Sequence, residues 1–119
     1  MSETIVKFSE KCLLAAIPTN DGVTIFPKIL GLARYFYIYS LTSDNKFTLV
    51  EKRLNPFETT TQHLKTLDVY TVINDCEIII AALIGKKGIE RLQEKGIKLF
   101  FRKGDISMAL NNVFRDEQF

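Results

Sequence analysis

In a chain of 119 residues with one histidine and two cysteines, metal or anion chemistry has to rest on very few side chains. Cys76 is the first candidate, because thiolate sulfur is the ligand iron–sulfur species take most readily. It stands in Asp75-Cys76-Glu77, directly before an unbroken apolar run from Ile78 to Ile84. A packed, unreactive thiol is the simpler use of that position, and the same holds for Cys12, which opens another apolar run. The two show no CxxC spacing, which speaks against an autonomous structural zinc site. Nor do two cysteines make a disulfide framework. His63 is the only imidazole; near a helix start it would be accessible as a metal ligand, although a solvent-facing histidine needs no such role.

Gly85-Lys86-Lys87 follows the apolar run. Backbone N–H groups at a helix start, with two ammonium groups beside them, suit an anionic ligand. It is not a Walker loop, since the glycine spacing differs and no Ser or Thr follows the lysines. From Lys86 to Lys103 seven Lys or Arg stand against Glu90 and Glu94. That excess is either a solvated helix face or an attraction for anions. Catalysis has no materials here. A two-metal nuclease needs several converging carboxylates, and one His with two distant Cys assembles no nucleophile, base and orienting acid. The sequence reads as that of a protein that is not an enzyme.

The elements that position these groups follow from periodicity. Ile78 to Ile84 has no polar alternation, so it reads as a central parallel strand covered on both faces. Strand, glycine turn and helix form the unit in which open α/β sheets place ligands, beyond the carboxyl ends of their strands. Cys12 to Ile17 reads as a second buried strand, ended by Pro18. Thr19-Asn20-Asp21-Gly22 is turn chemistry, with Gly22 free to take a positive φ. Val23 to Ala33 is a loop with apolar anchors, broken at Pro27 and Gly31. Tyr35 to Leu41 and Lys46 to Lys52 pair as an antiparallel hairpin, the second with one wet face and suited to a sheet edge. Its aromatics Tyr35, Phe36, Tyr37 and Tyr39 read as the two faces of a strand, not as a base-stacking platform. Asn55-Pro56-Phe57 closes the hairpin, and a threonine among Thr59, Thr60 and Thr61 caps a helix over 62–74. Ile89 and Leu92 face inward on a second helix that Gly96 stops. Ile97 to Phe101 is a last strand, and Asp105 caps a helix carrying Ile106, Ala109, Leu110 and Val113. The element order is β-β-β-α-β-α-β-α. Right-handed crossovers give an α/β fold with a five-stranded mixed sheet in the order 3-2-1-4-5, strand 2 antiparallel and helices on both faces.

Composition sets the outer limits. Hydrophobic residues are 46% and charged residues 25% of the chain, and the formal net charge is +2. Such a balance implies a single globular domain and no nucleic-acid partner. No run reaches the roughly 20 apolar residues of a membrane span, and the first residues lack a secretory pattern; a cytoplasmic protein with no membrane partner is expected.

Seven short pieces occur in the right order for a known family. They are Ala16-Ile17-Pro18, Gly31-x-Ala33-x-Tyr35-Phe36, Asn55-Pro56-Phe57, Asp75-Cys76-Glu77, Ile84-Gly85, the Leu92 to Gly96-Ile97 step and the final Ile106 to Leu110 helix. Together they resemble the dinitrogenase iron–molybdenum cofactor biosynthesis family, the NifX-like and NifB C-terminal-like domains. The resemblance implies a ribonuclease H-like three-layer fold, with residues 1–11 as an extension, 12–114 as the single domain and 115–119 as a tail. It also implies a non-enzymatic accessory protein of nitrogen fixation that binds or carries an iron–sulfur or iron–molybdenum cluster or its precursor, with cofactor-assembly proteins as further partners. Gly31, Gly85, Lys86 and Lys87 would then hold the cluster and His63 or Cys76 would ligate metal. Ile29 and Leu32 stand where many members have His and Arg, and Leu83 where many have Arg. The rival reading is a cofactor-free interaction or regulatory module, docking through Ile29 to Leu32.

Overall fold

The computed structural model describes residues 12–42, 46–57 and 65–117. Five strands, β1 (Cys12–Thr19), β2 (Tyr35–Thr42), β3 (Phe47–Leu54), β4 (Ile78–Ala81) and β5 (Lys98–Phe101), form one sheet in the order β3-β2-β1-β4-β5. β1 pairs antiparallel with β2 and parallel with β4, and β4 pairs parallel with β5. Among the described residues three α-helices accompany the sheet: α1 (Lys65–Ile73), α2 (Lys86–Glu94) and α3 (Ile106–Glu117). The strand order and the antiparallel β2 are those expected from the sequence. α3 continues to Glu117, past residue 114.

The layers follow from the pleat of the central strands. Ile78 and Ile80 join Ala15 and Ile17 in a core closed by Ile106, Leu110 and Val113 of α3. Ile79 and Ala81 join Ala16 in a second core closed by Val69 and Ile73 of α1 and Leu92 of α2. All four residues of β4 are inaccessible to solvent, which is why the run shows no polar alternation. Each fully buried isoleucine there contributes roughly 1.5–3 kcal/mol relative to exposure.

Three expectations need correction. The covered strand expected over Ile78 to Ile84 stops at Ala81, where its ladder with β5 ends; beyond it Leu83 meets only the isolated bridge to Ile29 and is 49% exposed. Pro18 does not end β1, which runs on to Thr19 with Pro18 opposite Phe36. The Pro18 carbonyl accepts the Phe26 N–H at 2.8 Å, so this residue's backbone faces away from β2. No ladder bond is lost by its missing N–H. β3 has not one wet face but two, with only Phe47 and Arg53 partly covered. The helices lie over the central strands, and a register shift between Ile38 and Tyr39 further displaces this edge. Its charges, Glu51, Lys52 and Arg53, are those that discourage pairing with another sheet edge. On β2, Phe36 and Ile38 are buried on one face while Tyr35, Tyr37 and Tyr39 are half-buried on the other, as a strand with two faces should be.

One polar lock ties the hairpin to the rest. The Arg53 guanidinium donates to the Val72 carbonyl at 2.7 Å, to both Asp75 carboxylate oxygens at 2.8 and 2.7 Å, and to Glu51 at 2.9 Å. The bidentate geometry is the strong form of this pair. It raises the Arg53 pKa further and lowers that of Asp75 to about 2.

Candidate functional site

The carboxyl ends of β1 and β4 carry the expected turn, loop and helix start side by side. After β1, the Thr19 hydroxyl accepts the Gly22 N–H at 2.9 Å and donates to the Thr24 carbonyl at 2.6 Å. Gly22 has φ +77°, and a Cβ there would lie 2.5 Å from the Tyr37 hydroxyl oxygen; conformation and space both demand glycine. The Asp21 carboxylate accepts the N–H groups of Thr24 and Val23, both at 2.9 Å. Those bonds lower its pKa to about 2, so a fixed negative charge sits in this turn. The Pro18–Gly22 loop is therefore the least suitable of the three for an anion.

The Lys28–Leu32 loop is fastened to the end of β4. Ile29 takes the ladder position beside Leu83, and the Leu30 N–H donates to the Leu83 carbonyl at 2.9 Å. Residues Leu30–Leu32 form a short 3-10 turn with Leu30 and Gly31 buried. Asn55 secures this turn from beneath. Its side-chain amide donates to the Gly31 and Ala33 carbonyls at 3.0 and 2.8 Å, and its carbonyl oxygen accepts the Phe57 N–H at 2.9 Å. Asn55 is buried with every polar atom of its side chain engaged. Sequence reasoning saw in it only the close of a hairpin; a turn asparagine and a buried clamp look alike without the fold.

Gly85 is the N-cap of α2, with φ −59° and ψ 151° and no side-chain cap. Among the described residues nothing lies within 4 Å of where a Cβ would stand. Neither torsion nor crowding requires glycine, and its effect is to leave the backbone approach to the helix start open. Lys86 and Lys87 are exposed there, beside N–H groups that the first turn leaves without helical partners. An anion would meet a positive helix end and two ammonium groups. Gly31, Gly85, Lys86 and Lys87 are thus brought to one edge.

Cys76 is elsewhere. It precedes β4, at the opposite end of the sheet from Gly85, and is 4% exposed. Burial, aided by the Asp75 carboxylate 3.6 Å from its sulfur, pushes its pKa up to about 12, so the thiol stays protonated at neutral pH. Glu77 beside it accepts the Leu14 N–H at 2.8 Å and so belongs to the β1–β4 junction. His63 lies outside the described residues, as do the threonines expected to cap α1. Among the described residues no group of three or more His, Cys, Asp or Glu side chains is placed to hold a metal ion. Likewise, no helix among them is long and apolar enough to cross a membrane. What this edge offers chemically is electrostatic and backbone recognition.

A family model described as dinitrogenase iron-molybdenum cofactor matches residues 11–116. No curated protein matches the chain. Among solved structures, the chain is similar to PH0822, at 22% identity and a TM-score of 0.71 over 87% of this chain and 91% of that one. It is similar to the apo form of the orange protein from Desulfovibrio gigas, at 19% identity and a TM-score of 0.66 over 89% of each. A candidate NifB protein from Thermotoga matches at 23% identity and a TM-score of 0.57, over 89% of this chain and 90% of that one. At these identities the structures establish a shared fold.

Proposed function

We infer the function from one premise: the chain belongs to the dinitrogenase iron–molybdenum cofactor family. Within it, we propose, this protein is a non-enzymatic accessory protein that holds an anionic iron–sulfur or iron–molybdenum cluster, or a precursor, for assembly proteins that receive it. The ribonuclease H-like name for the fold belongs to the same proposal. The observation that carries it is the open, uncapped start of α2 at Gly85, with exposed Lys86 and Lys87, beside the fixed Gly31 turn. Metal–sulfide clusters with thiolate or sulfide ligands are anions, and a positive helix end with two ammonium groups holds an anion without a covalent ligand.

Metal ligation is the second half of the proposal, through His63 or Cys76. The protonated, walled-in Cys76 thiol at the far end of the sheet makes His63 the ligand to test first. Anaerobic reconstitution with iron and sulfide, with molybdate in a parallel sample, followed by metal analysis and a visible spectrum, tests both halves. Stoichiometric metal that is lost in the Lys86→Ala/Lys87→Ala double variant and in His63→Ala, and kept in Cys76→Ala, is expected. A colourless, metal-free and well-folded protein would overturn the carrier function.

A further inference from the structure

Of the nine large hydrophobic side chains exposed among the described residues, all but Leu49 and Val50 stand at the carboxyl edge of the sheet. Ile29, Leu32 and Leu83, each 41–49% exposed, form the centre of that patch. They sit on backbone that cannot drift apart. Ile29 and Leu83 are ladder neighbours, the Leu32 N–H donates to the Ile29 carbonyl at 2.9 Å, and the Asn55 clamp holds the turn beneath. Apolar surface gathered in this way marks an interaction site.

Among the described residues the charges at this edge have one prevailing sign. Lys28, Arg34, Lys86, Lys87, Arg102 and Lys103 lie at this edge, against the carboxylates of Asp21 and Asp105. Both carboxylates already accept backbone N–H bonds, Asp21 from Val23 and Thr24 and Asp105 from Met108. We propose that this edge is the docking face for a partner protein presenting a few large apolar side chains flanked by carboxylates. The apolar centre supplies the buried contact and the basic rim selects an acidic partner and steers its approach. A bilayer is the poorer match, because surface binding needs side chains that reach about 5–10 Å into the acyl boundary. Here the central three, Ile29, Leu32 and Leu83, are half sunk in the surrounding surface.

The inference does not depend on a bound cluster, so it is tested on metal-free, 15N-labelled protein. The probes are an amphipathic peptide of Glu and Leu, the corresponding peptide of Lys and Leu, and phosphatidylserine vesicles. The Glu/Leu peptide is expected to shift the amides of 28–32 and 83–88, saturably and more weakly at high salt. Leu83→Ser and Lys86→Glu/Lys87→Glu, both at exposed positions, should each lower its affinity at least tenfold while keeping the native spectrum. Equal binding of both peptides, shifts centred on another face, indifference to the variants, or no saturable shift at millimolar peptide would overturn the proposal. Binding to the vesicles without binding to the peptide would overturn it as well. Failure here leaves cluster reconstitution untouched, so the two readings fail separately.

Discussion

Asn55→Ala is the substitution from which most can be worked out. The native side chain makes three hydrogen bonds: two buried ones to the Gly31 and Ala33 carbonyls, and a partly buried one from the Phe57 N–H. Each bond contributes on the order of 1 kcal/mol net, and a buried group left without a partner costs about 1–3 kcal/mol. Some of the freed groups will find water, so the loss should be about 3 kcal/mol. With a urea m-value of about 1.5 kcal/mol per M, the unfolding midpoint should fall by about 2 M. Amide shifts in the native spectrum should concentrate at residues 29–33. The isosteric Asn55→Asp sharpens the test, because a carboxylate would face two carbonyl oxygens where the amide donated. The fold disfavours that ionised form, so the folded pKa lies above the unfolded value of about 3.9. The native state then holds more protons than the unfolded chain. Stability relative to the native sequence must fall as pH rises from about 4 toward the folded pKa. A loss below about 1 kcal/mol in Asn55→Ala, or a rise in Asn55→Asp stability with pH, would refute the clamp.

Three other outcomes follow from the same geometry. Asp75→Asn should cost about 1 kcal/mol or less at pH 7, given its half-exposed carboxylate and the modest worth of such pairs. Because the folded pKa of about 2 lies below the unfolded one, this contribution is present above about pH 4 and fades as pH falls through 2; denaturation of both proteins across that range checks it. In a Cys12→Ser background, Cys76 should react with iodoacetamide at pH 8 about three orders of magnitude more slowly than a free thiol, from the thiolate fraction at a pKa of about 12. Denaturant should restore the ordinary rate, and fast native labelling would contradict the burial. Gly22→Ala should lose more than about 1 kcal/mol in a urea titration, since alanine would keep neither the positive φ nor the Tyr37 contact.

Much of this architecture was legible because periodicity reports burial directly. The apolar run announced a strand covered on both faces, which holds for Ile78 to Ala81 but not for Leu83 beyond it. The capping residues Asp105 and Gly96 stand where the last two helices begin and end: Asp105 accepts the Met108 N–H and Gly96 takes φ +85°. What escaped was what depends on distant contact. Pro18 was read as a stop because a local rule ignores which side of the strand lacks a partner. β3 was expected to hide one face because alternation cannot reveal that the helices lie elsewhere. Asn55 looked like a turn residue, and its role appears only when Gly31 and Ala33 fold over it. The approach to Lys86 and Lys87 was legible as a glycine followed by two lysines, and Ile29 to Leu32 as an apolar loop fit for docking; what was not legible is that Leu83, 51 positions beyond Leu32, is exposed beside that loop as the ladder neighbour of Ile29.

Where an anionic metal–sulfur species binds decides the proposed function. An anaerobic titration of 15N-labelled protein with tetrathiomolybdate, followed residue by residue, measures this directly. Saturable shifts centred on Gly85 to Gly88 and Lys28 to Leu32, abolished in Lys86→Ala/Lys87→Ala, are the predicted result. Shifts centred on Cys76, or none in a well-folded protein, would contradict it.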